Sequence, residues 1–195
     1  MKKLILISLP FLLIACASDD NNQGKPIAVA QNPLSQSNNS EVFNNSFADL
    51  LSQYYNLKNA FVKEDTAAIT TAATAMLKAA EGLKITEIKA DTLVIITATS
   101  DAQSLSADIK GLLGEQGIEN KRKSFNMVSN ILYDLFRDVR YDRDVLYFAH
   151  CPMALENKGA DWLSNHSEIV NPYVPKKMVD CGEIKDSVDY RVKGK

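Results

Sequence analysis

The stretch LVIITATSDAQSLSADIKGL, residues 93–112, decides the fold class of this chain. It opens on Leu93-Val94-Ile95-Ile96-Thr97, a β-branched run that local propensity assigns to a strand. Against that, Ile95, Ala98, Ala102, Leu105, Ile109 and Leu112 recur at spacings of three and four and form one unbroken stripe. The stripe predicts a single long helix that ends near Gly114 to Gly117.

The same rhythm runs on either side. Phe43, Phe47, Leu50, Tyr54, Leu57 and Phe61 place their side chains on one face of a first helix. Asp65 is a natural N-cap for a second, in which Ala68, Ala72, Met76 and Ala80 continue the pattern until Gly82 supplies a stop. Phe125, Val128, Leu132, Leu135 and Val139 mark a fourth. Lys121, Arg122, Lys123 and Arg137 fall mostly outside that last stripe, which predicts a solvated face. Four amphipathic helices joined by short polar turns make an up-down-up-down bundle the economical solution. Bundle interiors hold metals through Glu-x-x-His pairs, yet no helical block contains a histidine. Its aromatic and methionine side chains are therefore core candidates.

After Asp144 the pattern changes. Val145 to Cys151 is a short aromatic and β-rich run bounded by Pro152, which reads as a strand. Residues 154–177 contain Gly159, Pro172 and Pro175 and show no sustained period, so ordered loop is expected, with at most a helical turn near Asp161 to Asn165. Lys177 to Ile184 is the expected second extended segment, and its pairing with the first would bring Cys151 and Cys181 together. The fold expected is thus mainly α, a four-helix up-down bundle with a small irregular or β-hairpin segment over residues 145–186.

The N-terminus reads as an export signal. Lys2-Lys3 precedes an apolar run from Leu4 to Ala15 that is too short to span a bilayer. The run ends in Leu13-Ile14-Ala15-Cys16, which resembles the lipobox of bacterial lipoproteins. That resemblance implies a signal over residues 1–16 and acylation of Cys16 in a Gram-negative envelope; cleavage near Ala17 in an ordinary secreted protein is the alternative. Ser18-Asp19-Asp20 resembles a short acidic tag for the outer surface, which leaves both sides of the outer membrane open. Residues 17–40 are rich in Asn, Gln, Ser and Pro with few bulky apolar side chains, the composition of a flexible tether. Residues 41–195 form the folded domain.

Composition narrows the function classes. At 46% hydrophobic the 195-residue chain has enough apolar content to bury a core without staples. Without Lys2 and Lys3 it carries 20 basic against 24 acidic side chains, and no long one-sign block gives nucleic acid a foothold. No nucleophile elbow, phosphate-binding glycine loop, HExxH or CxxC pattern is present, so neither an enzyme nor a small-molecule substrate is expected.

Chemistry concentrates between His150 and Gly182, which holds two of the three cysteines, both histidines and the only tryptophan. Cys151 and Met153 are two apart, on one face of an extended backbone, and Met178 and Cys181 are three apart, a spacing that a turn can converge. Two thiols and two thioethers are soft ligands suited to Cu(I) or Ag(I). His150 is an auxiliary ligand or, since it points opposite to Cys151 in a regular strand, a partly exposed strand residue. His166 reads as a surface loop residue, and Trp162 and Tyr173 as packing the loop onto the bundle.

Cys-Pro-Met-Ala from Cys151, Gly-Ala-Asp-Trp-Leu-Ser from Gly159, Ile169-Val170-Asn171-Pro172-Tyr173 and Met178-Val179-Asp180-Cys181-Gly182-Glu183 together resemble a bacterial envelope domain, domain of unknown function three-three-four-seven. The resemblance runs from Tyr147 to Glu183 and extends more loosely into the helices, including Phe125 to Ser129. It implies a lipoprotein, or a domain fused to periplasmic adaptors of copper and silver efflux systems, with Cys151, Met153, Met178 and Cys181 as metal ligands. Relatives usually carry an aromatic and a glycine where this chain has Val174-Pro175, which puts the path of the loop to Met178 in question. In an oxidising compartment a structural Cys151 to Cys181 disulfide in a helical interaction lipoprotein is the competing expectation.

Overall fold

A computed structural model describes residues 39–191, so the expected signal, Cys16 and nearly all of the expected tether lie outside the described residues. Four long helices form the body: α1 Glu41–Lys63, α2 Thr66–Glu81, α3 Thr92–Gly114 and α4 Ile118–Asp138. The first two starts are fixed by side-chain caps. The Ser40 side chain accepts from Phe43 N–H to cap α1, and Asp65 does the same for α2 through Ala68 N–H, as its position predicts.

The β-branched run at residues 93–97 is helical, and Ala98, Ala102, Leu105, Ile109 and Leu112 are buried in one stripe. Periodicity overrode propensity because the stripe has a partner helix to bury against, leaving Leu93 and Ile96 at 73% and 60% exposure on the outer side. In α2 the buried face is turned from the expected one: Ile69, Ala73, Met76, Ala79 and Ala80 go inside, while Ala68 and Ala72 stay partly covered. The largest apolar side chain of the first two turns set the rotation.

Helices α1 and α4 meet through aromatic rings: Phe47 on Phe136, Tyr54 stacked on Phe125 at 5.4 Å, and Phe61 on Phe125 at 4.8 Å. Helix α2 packs between α1 and α3, and α3 on α4, which is the expected up-down-up-down order. Among the described residues no helix is long and apolar enough to cross a membrane.

The C-terminal part is a three-stranded antiparallel sheet in the order β2-β1-β3, with β1 Val145–Cys151, β2 Ala160–Ser164 and β3 Glu183–Asp189. Two expectations are corrected here. The segment from Asp161 to Asn165, expected as loop or a helical turn, holds a strand, because Trp162 and Leu163 bury on opposite faces of the new sheet. The second extended segment begins at Glu183 and not near Lys177, where Pro175 opens a single helical turn, Pro175–Met178.

A third correction concerns charge. Lys121 and Arg122, expected on a solvated face, are 8% and 3% exposed. Lys121 Nζ donates to Leu112 O at 2.9 Å, satisfying a carbonyl at the C-terminal end of α3. Arg122 ties three elements together: its guanidinium pairs with Glu119 and with Glu64 at the end of α1, and its Nε donates to Pro172 O at 3.1 Å.

Candidate functional site

The site is built on β1. Antiparallel pairing puts Ala149 opposite Trp162 and Cys151 opposite Ala160, so these four side chains share one face of the sheet. On the other face Phe148 stacks on Tyr133 of α4 at 4.2 Å, and β2 is fastened to the bundle by polar links. Leu163 N–H donates to the Tyr54 hydroxyl, and Ser129 Oγ donates to Phe125 O, which leaves Tyr54 as the donor to Ser129 Oγ. That buried relay is complete, with every polar atom partnered.

The first face is covered by the chain returning from β2 to β3. Asn171, fully buried, organises the cover: its Oδ1 accepts from Tyr173 N–H and Val174 N–H, and its Nδ2 donates to Cys181 O at 2.8 Å. Tyr173 lies against Phe125 and, edge-on, against Trp162, with its hydroxyl donating to Asp161 O. Trp162 and Tyr173 thus pack the loop onto the bundle as expected.

The backbone crosses the indole at Gly182, whose φ is +143. A Cβ there would stand 2.7 Å from the Trp162 ring and 2.9 Å from His150 O. Glycine is what lets Cys181 come down beside β1. Cys181 Sγ lies 2.6 Å from Cys151 Sγ; Cys151 is fully buried and Cys181 is half-buried. The shared hydrogen bond with Cys151, reinforced by burial, pushes the Cys181 thiol up to about 11, while the Met153 backbone N–H aimed at its sulfur opposes the rise.

The other candidates are placed less centrally. Met153 reaches Cys181 through its backbone, and its side chain is 50% exposed. Met178 ends the turn opened by Pro175, and its carbonyl accepts the Cys181 N–H at 3.1 Å. His150 turns away from the sulfurs, as strand alternation predicts, with Nδ1 2.7 Å from Asp161 Oδ1. His166 is exposed, as expected of a surface loop. Among the described residues no three His, Cys, Asp or Glu side chains group as they could around a metal ion.

Sequence reasoning missed Glu64 and Arg122 as supports of this site. Glu64 sits at φ +55 after α1 and pairs with Lys176 of the covering loop as well as with Arg122. Those two partners, Lys176 first, hold its carboxyl below the usual range. No local signal marks such a pair, because its members are brought together from α1, α4 and the loop.

Fold and site together define a helical bundle that carries a paired-thiol sheet on its flank. The model of a family described as protein of unknown function (DUF3347) matches residues 50–144, and over that segment the chain is similar to this family. The matched residues include Phe125 to Ser129 and end just before β1, so the motif-bearing string from Tyr147 onward lies beyond them. No curated protein matches the chain, and no solved structure does.

Proposed function

We propose that this chain is a lipid-anchored envelope protein that binds a soft monovalent cation, Cu(I) or Ag(I), through Cys151 and Cys181, for scavenging or for delivery to an efflux adaptor. The supporting observation is the convergence of two thiols from opposite ends of the last folded segment, one buried and one at the surface. Their chemistry fits: thiolates and thioethers prefer soft ions over hard ones. Cys151 and Cys181 supply the thiolates, and Met153 and Met178 are the neighbouring thioethers. His150, engaged with Asp161, is at most an outlying ligand in this reading. A bound ion supplies a cargo that moves by ligand exchange, so the protein catalyses no covalent reaction.

Reduced protein is expected to take up one Cu(I) per chain, and the double variant Cys151→Ser, Cys181→Ser to take up none. Uptake unchanged in the double variant overturns the reading.

A second reading, a helical interaction lipoprotein pinned by a Cys151 to Cys181 disulfide, is favoured by the 2.6 Å sulfur separation. Two sulfurs on one ion stand on the order of 4 Å apart, roughly twice a metal–sulfur bond, so the pair has to open to admit one. Counting free thiols in protein from the envelope, with and without copper, separates the two readings.

A further inference from the structure

We propose that the sulfur pair is a thiol–disulfide exchange centre of fixed polarity, in which Cys181 is the sulfur attacked by external thiols and Cys151 is the sulfur released. This rests on the same Cys151–Cys181 pairing as the function above, but not on any metal.

The polarity follows from where the two sulfurs sit. Cys151 closes β1, is fully buried, and lies on the sheet face covered by the returning loop. Exchange requires the incoming sulfur to approach in line with the bond that breaks, so the bond must be reached from the side of the attacked atom. Access to Cys151 is closed by the sheet. Cys181 stands outside the regular sheet, between the turn Pro175–Met178 and β3, and is half-buried. Its surroundings are open: Pro152, Val179 and Asp180 are exposed, as is Met153, whose backbone is in contact with its sulfur. These exposed side chains leave an approach to Cys181 alone.

The reaction balances without a cofactor. With the pair oxidised, an external thiolate attacks Cys181 Sγ and the Cys151–Cys181 bond breaks. Cys151 leaves with the electron pair and takes a proton from solvent, and a mixed disulfide forms on Cys181. A second external thiolate attacks the outer sulfur of that mixed disulfide. Cys181 is released and protonated, the two external thiols end as their disulfide, and the pair has gained two electrons. In reverse, an external disulfide is reduced through the same intermediate on Cys181.

The test uses the full chain with Cys16→Ser, free of metal, and glutathione as the probe. Oxidised protein is mixed with limiting reduced glutathione, quenched in acid and mapped by mass; the glutathione adduct is expected on Cys181. In parallel, reduced Cys151→Ala and Cys181→Ala variants meet glutathione disulfide. The variant that keeps Cys181 is expected to be modified, and the one that keeps Cys151 to react on the order of a hundredfold more slowly, because a buried thiol waits for local opening. Adducts found mainly on Cys151, or equal rates in the two variants, overturn the proposal. The acid-quench mapping decides the matter even if a variant does not fold. Because metal is absent throughout, failure here leaves Cu(I) uptake to its own assay, and failed uptake leaves this polarity standing.

Discussion

At the scale of single residues, the site depends on a hydrogen atom and a hydroxyl. Gly182 carries the first: any side chain at that position collides with the Trp162 ring and the His150 carbonyl in a backbone region that L residues rarely adopt. Gly182→Ala should lower stability by about 1–3 kcal/mol, the usual cost of overpacking, and should shift the Trp162 emission as Cys181 moves off β1. Denaturant melts monitored by fluorescence check both. The hydroxyl is that of Tyr54. Tyr54→Phe leaves Leu163 N–H buried without an acceptor, at a cost of about 1–3 kcal/mol. Cys181 was legible from sequence as a candidate ligand or disulfide partner, but its meeting with Cys151 was only an expectation, because nothing local tells which face a strand thirty residues away presents.

At the scale of elements, charge decides how the helices and the covering loop hold together. Glu64 links α1, α4 and the loop through Arg122 and Lys176, and its carboxyl is held below the ordinary value. The folded state therefore prefers it ionised: that stabilisation is complete above its ordinary value and is lost as pH falls through the lowered one. An acid titration of Trp162 fluorescence should show the loop loosening on this limb, and Glu64→Gln should remove the limb. The opposite sign holds between α3 and α4. Burial, followed by the neighbouring Asp138 and Asp134, pushes Asp101 up to about 6. Its contribution is favourable below its ordinary value and is lost as pH rises through about 6. Asp101→Asn should raise the Tm at pH 7 and leave it nearly unchanged at pH 4. Neither pair was visible in the sequence, where Lys121 and Arg122 looked like part of a solvated face. Helical spacing reports which side a residue occupies, but not that a second element will cover it.

At the scale of the whole molecule, the redox state of the pair should set how firmly the sheet stays on the bundle. Linking Cys151 to Cys181 closes a 30-residue separation, and a loop of that size stabilises a fold by ~3 kcal/mol through the unfolded chain. Oxidised protein should melt at higher temperature than reduced protein, with the difference gone in Cys181→Ala; calorimetry under both conditions tests it.

The sequence by itself determined the four helices, their antiparallel order, the cap at Asp65 and the first strand, because each rests on periodicity or contact within a few residues. Only the tertiary structure decided that residues 160–164 are a strand, that Arg122 is buried with its Nε on the Pro172 carbonyl, and that the Cys151 and Cys181 sulfurs lie 2.6 Å apart while Gly182 crosses Trp162. Those outcomes depend on what the rest of the chain packs against each segment, and a local pattern of side chains carries no record of a distant surface.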